Sequence, residues 1–151
     1  LSGVVANYSC VPHLLNREGR AEGKLVGGNL SLIAHLVGSK SSFKTKNTIL
    51  FLEDVGEYLY NIDRMMIQLK RSGMLDELAG LIIGGFTEIK DTTIPFGSDV
   101  FSVIKEHVKE YDYPVCFDFP VSHEKNNYAL KVGVKHLLSV SKKKIVLKEF
   151  R

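Results

Sequence analysis

Chemistry in this chain has to be sought where apolar runs end in polar side chains. Glu53 and Asp54 directly follow Ile49-Leu50-Phe51-Leu52, and Glu57 comes shortly after. A carboxylate at such a strand end can orient a histidine; it can equally complement the dipole of a following helix. The second segment is Phe119-Pro120-Val121-Ser122-His123-Glu124-Lys125-Asn126-Asn127. His123 there has the side chain most used as a general base near neutral pH, in a loop that could also leave it simply solvated. Of the other histidines, His107 lies among charged helix residues and His136 follows Lys135 at a predicted strand start. Paired glycines at Gly84-Gly85 let a backbone come close to another group. Gly27-Gly28-Asn29 lacks the lysine of a phosphate loop and the third glycine of a dinucleotide fingerprint, so it reads as relief of crowding where a helix begins. No glycine-flanked serine on a strained turn is present, and Ser31, Ser39 and Ser122 read as helix, turn and loop residues. The residues offer a base and an acid without a nucleophile.

The elements that must position these groups follow from hydrophobic period. Residues 48–53 and 79–86 are continuous apolar runs, the mark of strands buried on both faces. Between them Ile62, Met65, Met66 and Leu69 repeat at helical spacing, so two parallel strands joined by a crossover helix are predicted. A short helix is predicted from Leu32, Ile33, Leu36 and Val37, closed by Gly38. Another follows Ser98 as N-cap and buries Val100, Phe101, Ile104 and Val108. Residues 115–119 form a third buried strand. From Ala129 the period becomes two, through Leu130, Val132 and Val134, then Leu138 with Val140, then Ile145 with Leu147, which predicts hairpin strands with one wet face. The expected fold is therefore α/β: a mixed sheet with parallel buried strands, flanking helices and a C-terminal antiparallel hairpin region. The opening segment, residues 1–25, reads as a short strand followed by an extended lead-in, with 1–22 as the lead-in to the domain and 23–151 as the domain proper.

Composition narrows the class. The chain has 151 residues, 44% of them hydrophobic and 25% charged, enough for one ordinary core. No apolar run reaches membrane-spanning length, so no membrane partner is expected. A net charge of +3, partly in the run Lys142-Lys143-Lys144, lacks the concentrated basic face of a nucleic-acid binder. Cys10 and Cys116 make neither a disulfide framework nor a metal cluster with a histidine, which points to a reducing, cytoplasmic setting with no metal or cofactor. The chain starts at Leu1, and residues 1–6 are too short for a signal peptide; the expectation is that upstream residues have been removed.

Three segments in order resemble one family: residues 23–38 (GKLVGGNLSLIAHLVG), 49–73 (ILFLEDVGEYLYNIDRMMIQLKRSG) and 119–133 (FPVSHEKNNYALKVG) are similar to the C-terminal domain of serine LD-carboxypeptidases, the muramoyltetrapeptide carboxypeptidases, and of the microcin-immunity peptidases. The resemblance implies an N-terminal Rossmann-like domain, absent here, that holds the nucleophilic serine, with residues 1–22 as its linker. It implies that Glu53 and His123 complete a Ser-Glu-His triad acting on murein peptides at the bond between an L-centre, of diaminopimelate or lysine, and a terminal D-alanine. Asp54 and Glu57 are close enough in sequence to compete with Glu53 for the acid's role. The family often has glycine where this chain has Ser122. By itself the chain should be inactive, and the surface left open by the absent half could support a homodimer. The rival expectation is a peptide- or protein-binding α/β module without chemistry.

Overall fold

The structure, a computed structural model, describes residues 4–150. Positions 1–3 of the lead-in and Arg151 lie outside the described residues. The chain runs β1 (Asn7–Cys10), β2 (Gly19–Asn29), α1 (Leu30–Leu36), β3 (Thr48–Val55), α2 (Leu59–Arg71), β4 (Gly80–Thr87), α3 (Val100–Val108), β5 (Val115–Cys116), β6 (Lys135–Val140) and β7 (Ile145–Glu149). All seven strands form one sheet in the order β1-β7-β6-β2-β3-β4-β5. The four strands from β2 to β5 are parallel, while β6, β7 and β1 extend the sheet antiparallel from the other side of β2. This is the mixed α/β sheet that the change of hydrophobic period predicted.

Two cores flank the sheet. On one side Leu50, Leu52, Leu81 and Ile83 meet Ile62, Met66 and Leu69 of α2 and Ile104 and Val108 of α3. A stripe at helical spacing thus buries against alternate strand residues, the arrangement that removes most apolar area from water. The second core draws on every strand: Leu25, Phe51, Ile82, Cys116, Leu138 and Leu147, with Tyr8 and Cys10 packed against it. Its two edges meet through Tyr128, whose hydroxyl donates to Ser9 O at 2.8 Å and whose ring lies 5.0 Å from Tyr8 and 5.9 Å from Phe119. The sheet therefore curls around this core. Both cysteines are free thiols, and burial pushes both above the ordinary thiol value, Cys10 to about 11.

Residues 7–10 and 19–29 are ladder strands, and position 23 lies within β2. The backbone of the expected lead-in finds partners in the sheet, and Arg17 reaches Tyr113 O and Val108 O, closing the end of α3. Asp99, not Ser98, caps α3: its Oδ1 accepts from Phe101 N and Ser102 N, because Asp99 is the last residue in extended geometry. In the same helix Val103 is fully buried where Val100 and Phe101 only pack against the rim of the core. The strand expected at 115–119 ends at Cys116, since Asp118 has φ 56°, outside the extended region. The strand expected from Ala129 to Val134 does not form. Gly133, at φ 88°, turns the chain, and Lys131 is drawn to Val4 O and to the Glu149 carboxylate. Only two backbone bonds to Leu25 tie this segment to β2.

Candidate functional site

β3 lies between β2 and β4 and is buried along almost its whole length, so its carboxyl end delivers Glu53 and Asp54 to the edge of the core. Glu53 is 8% exposed and stands opposite Asn29 of β2. On the other side the register slips: Leu52 pairs with Ile83, but Asp54 pairs with Phe86. The extra residue lies in β4, at Gly84-Gly85. A bulge of this kind bends a strand and re-aims what faces it.

The two glycines have a steric reason. A Cβ on Gly84 would overlap the Val121 carbonyl oxygen, and one on Gly85 would lie 2.5 Å from Ser122 Cβ. Without side chains there, β4 holds the chain before His123 directly: Phe119 N donates to Ile83 O at 3.0 Å and Gly85 N to Val121 O at 2.9 Å. The loop is closed from within by Tyr128 N to Pro120 O, Ser122 N to Asn127 Oδ1 and Glu124 N to Ser122 Oγ. Ser122, where the family often has glycine, is not among the residues with positive φ, so its backbone makes no demand for glycine.

The result is one short contact. His123 Nδ1 lies 2.7 Å from Glu53 Oε2, with the imidazole about half exposed and the carboxylate nearly buried. Oε2 has no solvent access and no aligned hydrogen bond, so the contact is close but not linear. Burial raises the Glu53 pKa above the usual carboxylate range, and the neighbouring Asp54 adds to this; the field of His123 pulls the other way without cancelling it. A carboxylate beside one imidazole nitrogen fixes which nitrogen of the ring carries its hydrogen.

The competing acids are engaged elsewhere. Asp54 is buried and accepts from Asn29 Nδ2 at 2.8 Å, Ser31 Oγ at 2.7 Å, Ser31 N at 3.0 Å and Val55 N at 2.9 Å. Glu57 accepts from Ser31 Oγ and Asn61 Nδ2, both at 3.1 Å. These two carboxylates fasten the start of α1 and α2 to β3, and Asn29 caps α1 with its own Oδ1 on Leu32 N. Gly27 belongs to this arrangement as well: it ends up in β2, where a Cβ would overlap the Phe51 backbone. Sequence reading missed the Asn29–Asp54–Ser31 network. Its one signal was a capping asparagine, with serine two residues on, near a strand ending in paired acids.

Two other histidines are placed differently. His107 Nε2 is 2.6 Å from Asp63 Oδ1, joining α3 to α2, and His136 is sealed inside the sheet. Among the described residues no group of three or more His, Cys, Asp or Glu side chains is arranged to hold a metal ion. No described helix is long and apolar enough to cross a membrane.

Comparison with known proteins agrees with this fold. Residues 22–138 match the family model of the LD-carboxypeptidase C-terminal domain, and the chain belongs to that family. It is 32% identical over 129 residues to a probable murein peptide carboxypeptidase of Bacillus subtilis, covering 85% of this chain and 40% of that protein. It is 30% identical over 124 residues to a murein tetrapeptide carboxypeptidase of Pseudomonas aeruginosa, covering 82% and 40%. The crystal structure of muramoyltetrapeptide carboxypeptidase from Oxalobacter formigenes superposes with a TM-score of 0.89 at 30% identity, covering 99% of this chain and 51% of that one. The chain thus spans about 40% of the length of these curated relatives.

Proposed function

We propose that this chain is the base-bearing half of a serine LD-carboxypeptidase that cleaves a terminal D-alanine from murein tetrapeptides, at the bond to the L-centre of diaminopimelate or lysine. The observation that carries the reading is the 2.7 Å contact between Glu53 Oε2 and His123 Nδ1, formed by two residues far apart in sequence at the carboxyl end of the parallel strands. In this reading the residues preceding the chain form a Rossmann-like domain that brings a serine to the other nitrogen of the ring, with residues 1–22 as the approach to it. The serine hydroxyl attacks the peptide carbonyl while His123 Nε2 takes its proton, and the same proton passes to the amine of the departing D-alanine. Water then attacks the acyl-enzyme with His123 again as base. Glu53 holds the tautomer and stabilises the imidazolium of each step. The buried carboxylate suits that task, because an imidazolium beside it compensates the charge that burial disfavours.

No serine of the described residues is hydrogen-bonded to His123; Ser31 Oγ is committed to Asp54 and Glu57. The chain by itself therefore should not turn over. The test is release of D-alanine from an LD-linked muramoyl tetrapeptide by the protein extended to the full length of its relatives and by these 151 residues alone. Release by the first and not the second supports a half-site. Release by neither, with both folded, favours a binding module in place of an enzyme.

A further inference from the structure

Adjacent acids at the end of a buried strand repel one another, and at the end of β3 a neutral side chain stands against both. Asn29 lies opposite Glu53 in the register of β2 and β3. Gly27 lets the strands come this close, since a Cβ there would overlap the Phe51 backbone. The Asn29 amide oxygen serves α1, accepting from Leu32 N at 3.1 Å. The cap has no use for the amide nitrogen, and Nδ2 donates to Asp54 Oδ1 at 2.8 Å. Its neighbours permit only this orientation, because Leu32 N can only donate and a carboxylate accepts.

Successive side chains of a strand point to opposite faces. Asp54 accordingly turns to the start of α1, where Ser31 N and Ser31 Oγ hold its Oδ2 at 3.0 and 2.7 Å, while Glu53 turns to His123. Burial is the largest influence on Glu53 and raises its pKa, and the field of Asp54 adds to it; His123 and the Asn29 amide pull it down. On the other side β4 presents Gly84-Gly85 and no charge. We infer, resting on the proposed function, that Asn29 is a positioning residue for the acid: its amide separates the two carboxylates, so that Glu53 stays turned to His123 and Asp54 to α1. Asn29 thus acts through Glu53, in addition to capping a helix. Its second duty has a chemical consequence, because an acid that took up a proton in the working range would no longer stabilise the imidazolium.

Asn29→Ser in the full-length protein separates the two duties, since serine caps a helix as well as asparagine does but has no amide. Three quantities are compared with the parent: the pH profile of kcat/KM for D-alanine release, Tm, and the titration of the Glu53 side-chain carboxyl by carbon NMR, its signal identified by loss in Glu53→Gln. Asn29→Ser should lower kcat/KM about tenfold below neutral pH, through kcat and not KM. The acid limb of the profile and the Glu53 titration should both move to higher pH, with Tm within a few degrees of the parent. Asn29→Asp keeps a capping oxygen, loses the donors and adds a third carboxylate, so it should move both further in the same direction; it carries the same readings if Asn29→Ser fails to fold. A folded variant with the parental pH profile and the parental Glu53 titration overturns the inference, as does a loss of activity that tracks Tm alone. The carboxyl titration needs no turnover, so the two readings fail separately. Release of D-alanine with an unmoved titration sinks the positioning role alone, while a moved titration in a protein that releases no D-alanine sinks the catalytic reading alone.

Discussion

His123 stands half exposed with Nδ1 2.7 Å from Glu53, whereas His136, opposite Glu149 in the register of β6 and β7, is sealed from solvent with its Nε2 buried and unbonded. The two rings see the same residue types in different settings. Around His136 burial lowers the pKa, and its Nδ1 faces Val134 O at 3.1 Å; Glu149 pulls the value up and Lys131 pulls it down, but burial dominates. Glu149 is in turn bonded by Ala6 N and Lys131 Nζ, which ties the N-terminal segment and the 128–134 segment to β7. That histidine is a neutral core residue. At the site the acid is just as covered but the ring is open, so the imidazole can exchange a proton with something arriving from outside. The two glutamate side chains are equally covered, at 11% and 12% exposure, so it is the exposure of the ring that separates the two histidines.

That contrast can be broken from several sides, each in the full-length protein. Glu53→Gln should cost about 10³-fold in kcat/KM for D-alanine release, as expected when an orienting acid is neutralised. It should also change the pH dependence of stability. A carboxyl whose folded pKa is raised makes the native state hold more protons than the unfolded one, so its contribution declines as pH rises above the ordinary carboxylate value. Denaturant titration across that window should show the decline in the parent and a flatter profile in Glu53→Gln.

A smaller loss, about 10- to 100-fold in kcat/KM, is expected for Gly84→Ala, because the added methyl must displace the Val121 carbonyl and with it the His123 loop. Gly56→Ala, where nothing lies within reach of a Cβ, controls for backbone strain alone. Asp54→Asn sharpens the contrast between neighbouring acids. It should destabilise the fold by about 2 kcal/mol by weakening the bonds to Asn29 and Ser31, measured by urea unfolding, whereas Glu53→Gln acts chiefly on turnover.

The smallest effect belongs to His136. Its lowered pKa means that the unfolded chain binds more protons below the ordinary histidine value of about 6.5, so stability should fall as pH drops through that window. His136→Gln should reduce the difference in Tm between pH 7 and pH 5.

Much of this was legible in the residues because burial on both faces leaves a plain mark. The runs that became β3 and β4 and the stripe of α2 carry it, and an acid or histidine just beyond such a run stands out. The edges were harder. The first half of β2 hides in polar, glycine-containing sequence because its partner is an antiparallel strand more than a hundred residues away. The stretch from Ala129 to Val134 alternates like a strand, yet Gly133 and the pull of Glu149 on Lys131 override the period. The contact between Glu53 and His123 joins two residues that sequence singled out, but that Asp54 and Glu57 are bonded to Ser31 and Asn61 is visible only in the fold. The purpose of Gly84-Gly85 likewise depended on a register slip that no local pattern encodes.

The most direct test compares the two histidines in one assay. In the full-length protein, kcat/KM for D-alanine release from a muramoyl tetrapeptide is measured for His123→Ala and His136→Gln, with unfolding followed in parallel. A loss of about 10³-fold or more for His123→Ala at unchanged stability, against near-parent turnover for His136→Gln, is the expected result. Activity that survives His123→Ala in a folded protein would contradict the assignment of His123 as the base.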